Sequence, residues 1–315
     1  MRPHGREIIR TWDFYTMVKY HYHFNRRPWD NIMTCGWVLA KKGEKISKSK
    51  GNAPKAPMEL IKEFSADAVR YWAATGKLGT DRAFDETQMK ISIRFLTKLW
   101  NASRFSEILL GDYNGETPKE ILPQDKCIIK NFNDVLVNMQ HSMQDYEFGD
   151  AKDFLDKFFW NDLCDNYVEL VKERLYQPEK HGQDECLSAK FTLYNVMKNV
   201  IICYSMITPF ICEKIYQELF RKENSPVSVS LCDWEQIKID GGNLEFGNEL
   251  KDIIGEVRKQ KTEKGLSMKA PVEKITITTK NINEFEKAKA DLIACSNAAT
   301  ITITSGESFS YTVTL

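Results

Sequence analysis

A chain of 315 residues exceeds what one hydrophobic core usually organises, so about two or three domains are expected. Its composition, 42% apolar and 28% charged, is that of a globular protein, and no apolar run of about 18 residues is present to predict a membrane-spanning helix. Lys plus Arg number 44 and Asp plus Glu 44, so binding to a nucleic acid has to rest on local patches and not on net charge.

In chain order, the first seven residues lack the apolar core and small-residue cleavage site of a secretory signal, which points to a cytoplasmic address. After Pro3 and Gly5, the spacing of Ile8, Ile9, Trp12, Phe14, Tyr15, Met17, Val18 and Tyr20 predicts a helix over 7–24. Residues 29–39 read as a strand that leads into a lysine-rich loop over 41–51, framed by Gly43 and Gly51. From about residue 58 the pattern turns helical, with Leu60, Ile61, Phe64, Ala68, Val69 and Trp72 on one apolar face. Further helices are predicted near 87–110, 124–146, 149–177 and 186–207, then from Pro209 to Arg221, an antiparallel bundle signature. Beyond Gly241-Gly242 come a helix near 244–264, a strand over 272–279, a helix near 282–294 and strands over 299–304 and 310–315, which read as a small α/β tail.

Eight cysteines, at 35, 127, 164, 186, 203, 212, 232 and 295, form no Cys-x-x-Cys pair and have no histidine at finger spacing. Free thiols and no bound metal are expected.

Chemistry concentrates in the loop. Lys41, Lys42, Lys45, Lys48 and Lys50 stand against Glu44 alone. Ammonium groups on flexible stems between glycines suit an anion such as phosphate, although a solvated hairpin tip has the same composition. The order decides between them: Gly36-Trp37-Val38-Leu39 followed by Gly43-Glu44-Lys45-Ile46-Ser47-Lys48-Ser49-Lys50-Gly51-Asn52 resembles the signature loop of the class I aminoacyl-tRNA synthetases. Ile46 stands where that family usually has methionine, an exchange of similar volume.

In that family the loop closes over ATP, and its second lysine helps stabilise the pyrophosphate leaving group. The resemblance therefore implies a catalytic role for Lys48, with Lys45, Ser47 and Ser49 shaping the loop and adding phosphate contacts. ATP with Mg²⁺ is the implied cofactor. The segment Arg2-Pro3-His4-Gly5-Arg6-Glu7-Ile8-Ile9-Arg10-Thr11-Trp12 looks like the part of the valine enzymes whose Gly-x-Asp element lies beside the ribose. Gly5 and Glu7 occupy those positions, with glutamate one methylene longer than the usual aspartate; an ordinary helix start is the other reading.

Residues 66–72 and 78–85 resemble the stem-contact region of these enzymes, and 89–91, 96–105 and 209–211 resemble the first and last helices of their anticodon-binding bundle. The expected fold is thus mainly α: the remnant of a Rossmann-like α/β catalytic domain with the lysine loop (1–57), a stem-contact segment (58–86), an α-helical anticodon-binding bundle (87–240) and a small C-terminal α/β domain (241–315). Valine, ATP and tRNA(Val) are the implied partners of the complete enzyme, and no membrane is. The family also uses a histidine-rich element, which is not found; His21 and His23 read as a surface pair. Most of the nucleotide-binding sheet, the amino-acid pocket and the editing domain would precede residue 1, so the chain is expected to be inactive alone.

Lys90, Arg94, Lys98, Asn101 and Arg104 fall on one helical face as a candidate RNA stripe, and a merely solvated face is the alternative. Arg258, Lys259, Lys261 and Lys264 form a second basic candidate. Phe159, Trp160 and Tyr167 fit core spacing better than base stacking. The rival to a ligase fragment is a non-catalytic relative that binds tRNA or another structured RNA.

Overall fold

The computed structural model describes residues 1–47, 49–53 and 55–315, arranged as two compact units. The first comprises residues 1–99, 138–153 and 204–212, and the second 100–137, 154–203 and 213–315.

The first unit begins with strand β1 (Arg2–Gly5), which the sequence did not announce because four residues containing Pro3 and Gly5 carry no alternation. Pro3 has no N–H to give a ladder, yet a short strand with a free edge tolerates it. The chain then turns through wide helical turns into α1 (Phe14–Phe24), which stops at Asn25, left-handed with φ 49°. It returns as β2 (Ile32–Cys35), parallel to β1 from Arg2 opposite Ile32 to Gly5 opposite Cys35. This is a strand–helix–strand crossover.

The strand expected over 29–39 is two strands in two different sheets. Chain direction changes at Gly36, where a Cβ would lie 1.9 Å from the carbonyl oxygen of Thr80, and Trp37 N–H donates to Asp81 Oδ1 at 3.0 Å. That close approach requires glycine. Strand β3 (Val38–Lys41) then pairs antiparallel with β4 (Glu44–Lys45) and parallel with β5 (Arg82–Ala83).

Between β4 and β5 lie α2 (Pro57–Phe64) and α3 (Ala66–Ala74). The single apolar face read from the sequence is shared by both helices, because Ser65 adopts φ 81° and caps α3 by accepting from Ala68 N–H. Leu60, Phe64, Ala68 and Trp72 pack with Met89 of α4 (Glu86–Leu110). Tyr71 stacks on Phe95 with ring centroids 4.1 Å apart.

Helices α5 (Pro123–Gln144) and α6 (Phe148–Lys157) follow, α6 running on through wide turns at Phe158–Tyr167 into α7 (Val168–Tyr176). The helix expected over 149–177 is therefore continuous apart from these widened turns. Next come α8 (Pro178–His181), α9 (Gln183–Tyr204) and α10 (Pro209–Ile215). In the first unit Asp67 accepts from the N–H groups of Phe210 and Ile211 at 3.3 and 2.7 Å, which caps α10, while Arg70 donates to the carbonyls of Met206 and Ile207, both at 2.9 Å. Burial pushes the Asp67 carboxyl up, and the two N–H donors hold it down in part.

In the tail, α11 (Leu244–Glu263) and α12 (Ile282–Ser296) accompany a sheet of order β7-β6-β8, formed by β6 (Val272–Thr279), β7 (Ala298–Ser305) and β8 (Ser310–Thr314). The β6 residues Ile275, Ile277 and Thr279 are buried, in keeping with the alternation of a half-covered strand.

One buried polar cluster ties four helices of the second unit. Arg174 on α7, 1% exposed, meets both carboxylate oxygens of Asp125 on α5 at 3.0 and 2.8 Å and Asp291 on α12 at 3.2 Å. Tyr167 and Ser188 also donate to Asp125, at 2.8 and 2.5 Å. Burial alone would lower the Arg174 pKa, but the two carboxylates outweigh it and raise the value.

The eight cysteines are free thiols. Among the described residues no helix is long and apolar enough to cross a membrane, and no cluster of His, Cys, Asp and Glu is arranged to hold a metal.

Candidate functional site

The centre of the first unit's site is Trp37, at the break between β2 and β3. Its indole N–H donates to Glu7 Oε2 at 2.7 Å. The Lys45 ammonium lies 3.3 Å from the ring centroid and the Arg6 guanidinium 4.3 Å, both in cation–π range. Arg6 also pairs with Asp81 at 2.7 Å, and Asp81 accepts the Trp37 backbone N–H. Three segments distant in sequence thus meet at Trp37: Arg6-Glu7 just after β1, the base of the lysine loop, and Asp81 before β5.

Gly5 is placed by the same geometry. A Cβ there would lie 2.5 Å from Glu7 Oε2, so the folded-back carboxylate needs glycine beneath it. His4, buried on β1, has its Nε2 3.2 Å from Asp13 Oδ2, although the pair is not aligned as a hydrogen bond.

The loop is closed by Asn52. Its side-chain oxygen accepts from Ser47 N–H at 2.8 Å, and its amide nitrogen donates to Glu44 Oε1 at 2.7 Å and to the Lys45 carbonyl at 3.1 Å. The Ser47 and Ser49 hydroxyls are 2.8 Å apart. Gly43 and Gly51, with φ of 80° and 61°, supply the left-handed turns at either end of the loop. Lys48, assigned the catalytic role from the sequence, lies outside the described residues. Of the sequence-assigned nucleotide residues, Glu7 and Lys45 come together at Trp37, Gly5 lies beneath the Glu7 carboxylate, and Ser47 and Ser49 stand next to each other in the loop. Sequence reasoning missed Arg6, Trp37, Asn52 and Asp81; all four lie within family-like stretches, but nothing local to them announces what they touch.

Hydrogen bonds depress both carboxyls here. Glu7 is lowered from an ordinary 4.5 mainly by its own backbone N–H and then by Trp37, and Asp81 from 3.8 mainly by the Trp37 N–H. For an acid whose folded pKa is depressed, the stabilisation is present above the unfolded value and is lost as pH falls through the folded one. The arrangement around Trp37 will therefore hold at pH 4.5 and come apart only below the ordinary carboxylate values of 4.5 and 3.8. Indole ¹H–¹⁵N resonances followed during acid titration check this; release of Trp37 between pH 6 and 5 would contradict it.

Of the candidate RNA stripe on α4, Lys90, Arg94, Asn101 and Arg104 are exposed and Lys98 is half-buried. Lys90 pairs with Glu86 at 3.7 Å and Arg104 with Glu107 at 2.7 Å, exposed pairs of the kind that exchange readily with an incoming phosphate. The second basic candidate loses a member. Lys261 is 1% exposed and donates to the carbonyls of Met268 and Ser296, each at 2.9 Å, and burial lowers its pKa. It is a tie within the tail and not part of a surface patch. His21 and His23 lie exposed near the end of α1.

Residues 1–85 match the family model for tRNA synthetases class I (I, L, M and V), and residues 125–277 match that for the anticodon-binding domain of tRNA ligase. The valine–tRNA ligase of Rickettsia conorii (strain Malish 7) is 37% identical over 287 residues, covering 88% of this chain and 35% of that protein. That of Ehrlichia ruminantium (strain Gardel) is 37% identical over 310 residues, covering 95% and 37%. The chain thus spans little more than a third of these relatives' length. In fold it is similar to the agnB2 LeuRS of Agrobacterium radiobacter K84, solved in a ternary complex with tRNA and LeuAMS, with a TM-score of 0.56 at 16% identity over 75% of this chain and 29% of that one.

Proposed function

Because the chain belongs to the class I tRNA synthetases, with valine–tRNA ligases as its relatives, we propose that it is the C-terminal part of a valine–tRNA ligase, carrying the ATP-phosphate loop and the tRNA-binding domains. The complete enzyme activates valine with ATP and transfers it to tRNA(Val) in the cytoplasm. In this reading residues 1–57 complete the catalytic domain, 58–86 contact the tRNA stem, 87–240 bind the anticodon arm and 241–315 form the tail.

The observation that carries the reading is the meeting at Trp37 of Glu7, the ribose-side carboxylate, with the base of the lysine loop. Ribose and triphosphate of one nucleotide need those two groups side by side. In this reading Lys48, Ser47 and Ser49 serve the phosphates, whose Mg²⁺ arrives with ATP, Lys45 shapes the base of the loop, and Gly5 and Glu7 flank the ribose. Lys48 stabilises the charge that develops on the departing pyrophosphate.

A second observation supports the absence of activity from this chain alone. The two-stranded β1–β2 sheet is too small to stand as a parallel layer, and Trp12, Phe14, Tyr15 and Phe24 of the adjoining helical segment are exposed by more than half. The Nε and Nη2 atoms of Arg2 are buried without acceptors among the described residues. In our reading, the remainder of the synthetase covers this face and brings the opposite wall of the ATP site.

For RNA, the α4 stripe provides the test. Changing Lys90, Arg94 and Arg104 together to glutamate will weaken tRNA binding and flatten its salt dependence by about 0.7–0.9 in log K per log salt for each phosphate the stripe no longer neutralises. Filter binding at several ionic strengths measures it. An unchanged slope would remove the stripe from the tRNA interface.

A further inference from the structure

Within the nucleotide reading above, on which this inference rests, we propose that Trp37 is the positioning residue of the lysine loop. Its ring seats Lys45 as an anchor, leaving phosphate to the other loop lysines, and its N–H ties that anchor to Glu7.

The geometry distinguishes an anchor from a ligand. Lys45 is held at both ends, its ammonium 3.3 Å from the Trp37 ring centroid and its carbonyl accepting from Asn52 at 3.1 Å. Tryptophan offers a cation the strongest aromatic face among the side chains. The Asp81 carboxylate, paired with Arg6 and bound to the Trp37 N–H, has Lys45 among the nearby cations that stabilise its charged form. A phosphate would have to draw the ammonium off the ring to recruit Lys45.

Trp37 also couples what the nucleotide must touch. The bond from its indole N–H holds Glu7, and Gly36 before it runs so close to Thr80 that a Cβ there would lie 1.9 Å from the Thr80 carbonyl oxygen. Loop base and ribose-side segment therefore move as one body about the indole, which is how a side chain that touches no phosphate itself can set the spacing between ribose and triphosphate sites.

The test uses this chain with ¹³C-labelled lysine, the Lys45 signal assigned through Lys45→Arg. In the unsubstituted protein the Lys45 ε-methylene resonance is expected upfield of the other lysines, from the ring current of Trp37. It should return to the common position in Trp37→Leu and stay upfield in Trp37→Phe, which keeps a ring but loses the N–H. Trypsin cleavage after Lys45 should rise about tenfold in Trp37→Leu, as removal of a cation–π attraction of about 1.4 kcal/mol implies, and be largely rescued in Trp37→Phe. On adding magnesium tripolyphosphate, Lys45 should keep its shift while other loop lysines move.

An ordinary Lys45 shift in the unsubstituted protein overturns the proposal without recourse to any variant, and so does departure of Lys45 from the ring when tripolyphosphate binds. If tripolyphosphate moves no loop lysine while the ring-current results hold, the nucleotide reading fails and the anchor stands.

Discussion

Replacing Arg174 by methionine will lower the unfolding free energy by about 3–5 kcal/mol, because it leaves a buried carboxylate without its cation. Asp125 is fully buried and accepts from Arg174, Tyr167 and Ser188, while Asp291, 3% exposed, retains the hydrogen bond from Gln124 at 2.7 Å once the guanidinium is gone. Burial already raises the Asp291 pKa, with Arg174 opposing it, so removing Arg174 favours protonation or unfolding. The same logic predicts that Arg174→Met combined with Asp125→Leu recovers part of the loss, since an absent ion pair costs less than a broken one. Denaturant unfolding of the single and double variants gives the coupling directly. Arg104→Ala is the control, an exposed pair expected to change stability by less than about 1 kcal/mol. A similar small loss at Arg174 would show that the cluster does not hold α5, α7 and α12 together.

The largest effect on chemistry is expected at Lys48. In the complete enzyme, Lys48→Ala will reduce valine-dependent ATP–pyrophosphate exchange by about 10²–10³-fold, the scale of removing one preorganised donor to developing charge. The affinity for tRNA will be unchanged if, as proposed, the residue acts on the leaving group and not on the polynucleotide. An equal loss in exchange and in tRNA affinity would remove the role assigned to Lys48 and recast the loop as an RNA-binding element. Lys45→Ala should act differently, loosening the loop at Trp37 and raising KM for ATP more than it lowers kcat.

How much of this was legible in the sequence varies with the range of the interaction. The helices α4, α5, α9 and α11 announced themselves because an apolar stripe of period 3.6 repeats over 20 residues or more. The tail strands were legible from Val272 onward because isoleucine and threonine alternate there. Strand β1 was not, since its four residues gain their conformation from pairing with β2, 30 positions later. The break at Gly36 was missed for the same reason: the obstacle is Thr80, and no local signal contains it.

The site divides along the same line. The lysine loop was readable as a linear motif, and with it the family. Its supports were not. Trp37 looked like part of a strand, yet it collects Arg6, Glu7, Lys45 and Asp81 from three segments. Lys261 looked like a surface charge on a basic helix, yet carbonyls from Met268 and Ser296 draw it inside. In both cases residue type was a poor guide because partners far along the chain decide the environment.

If this chain is the tRNA-binding part of a valine–tRNA ligase, as proposed, it will bind tRNA(Val) without the rest of the enzyme. Titration of the chain with a tRNA(Val) transcript at about 50 and 200 mM salt measures this. Saturable binding that weakens steeply with salt, with no valine-dependent pyrophosphate exchange by the chain alone, is the predicted result. Failure to bind tRNA(Val) at the lower salt would contradict it.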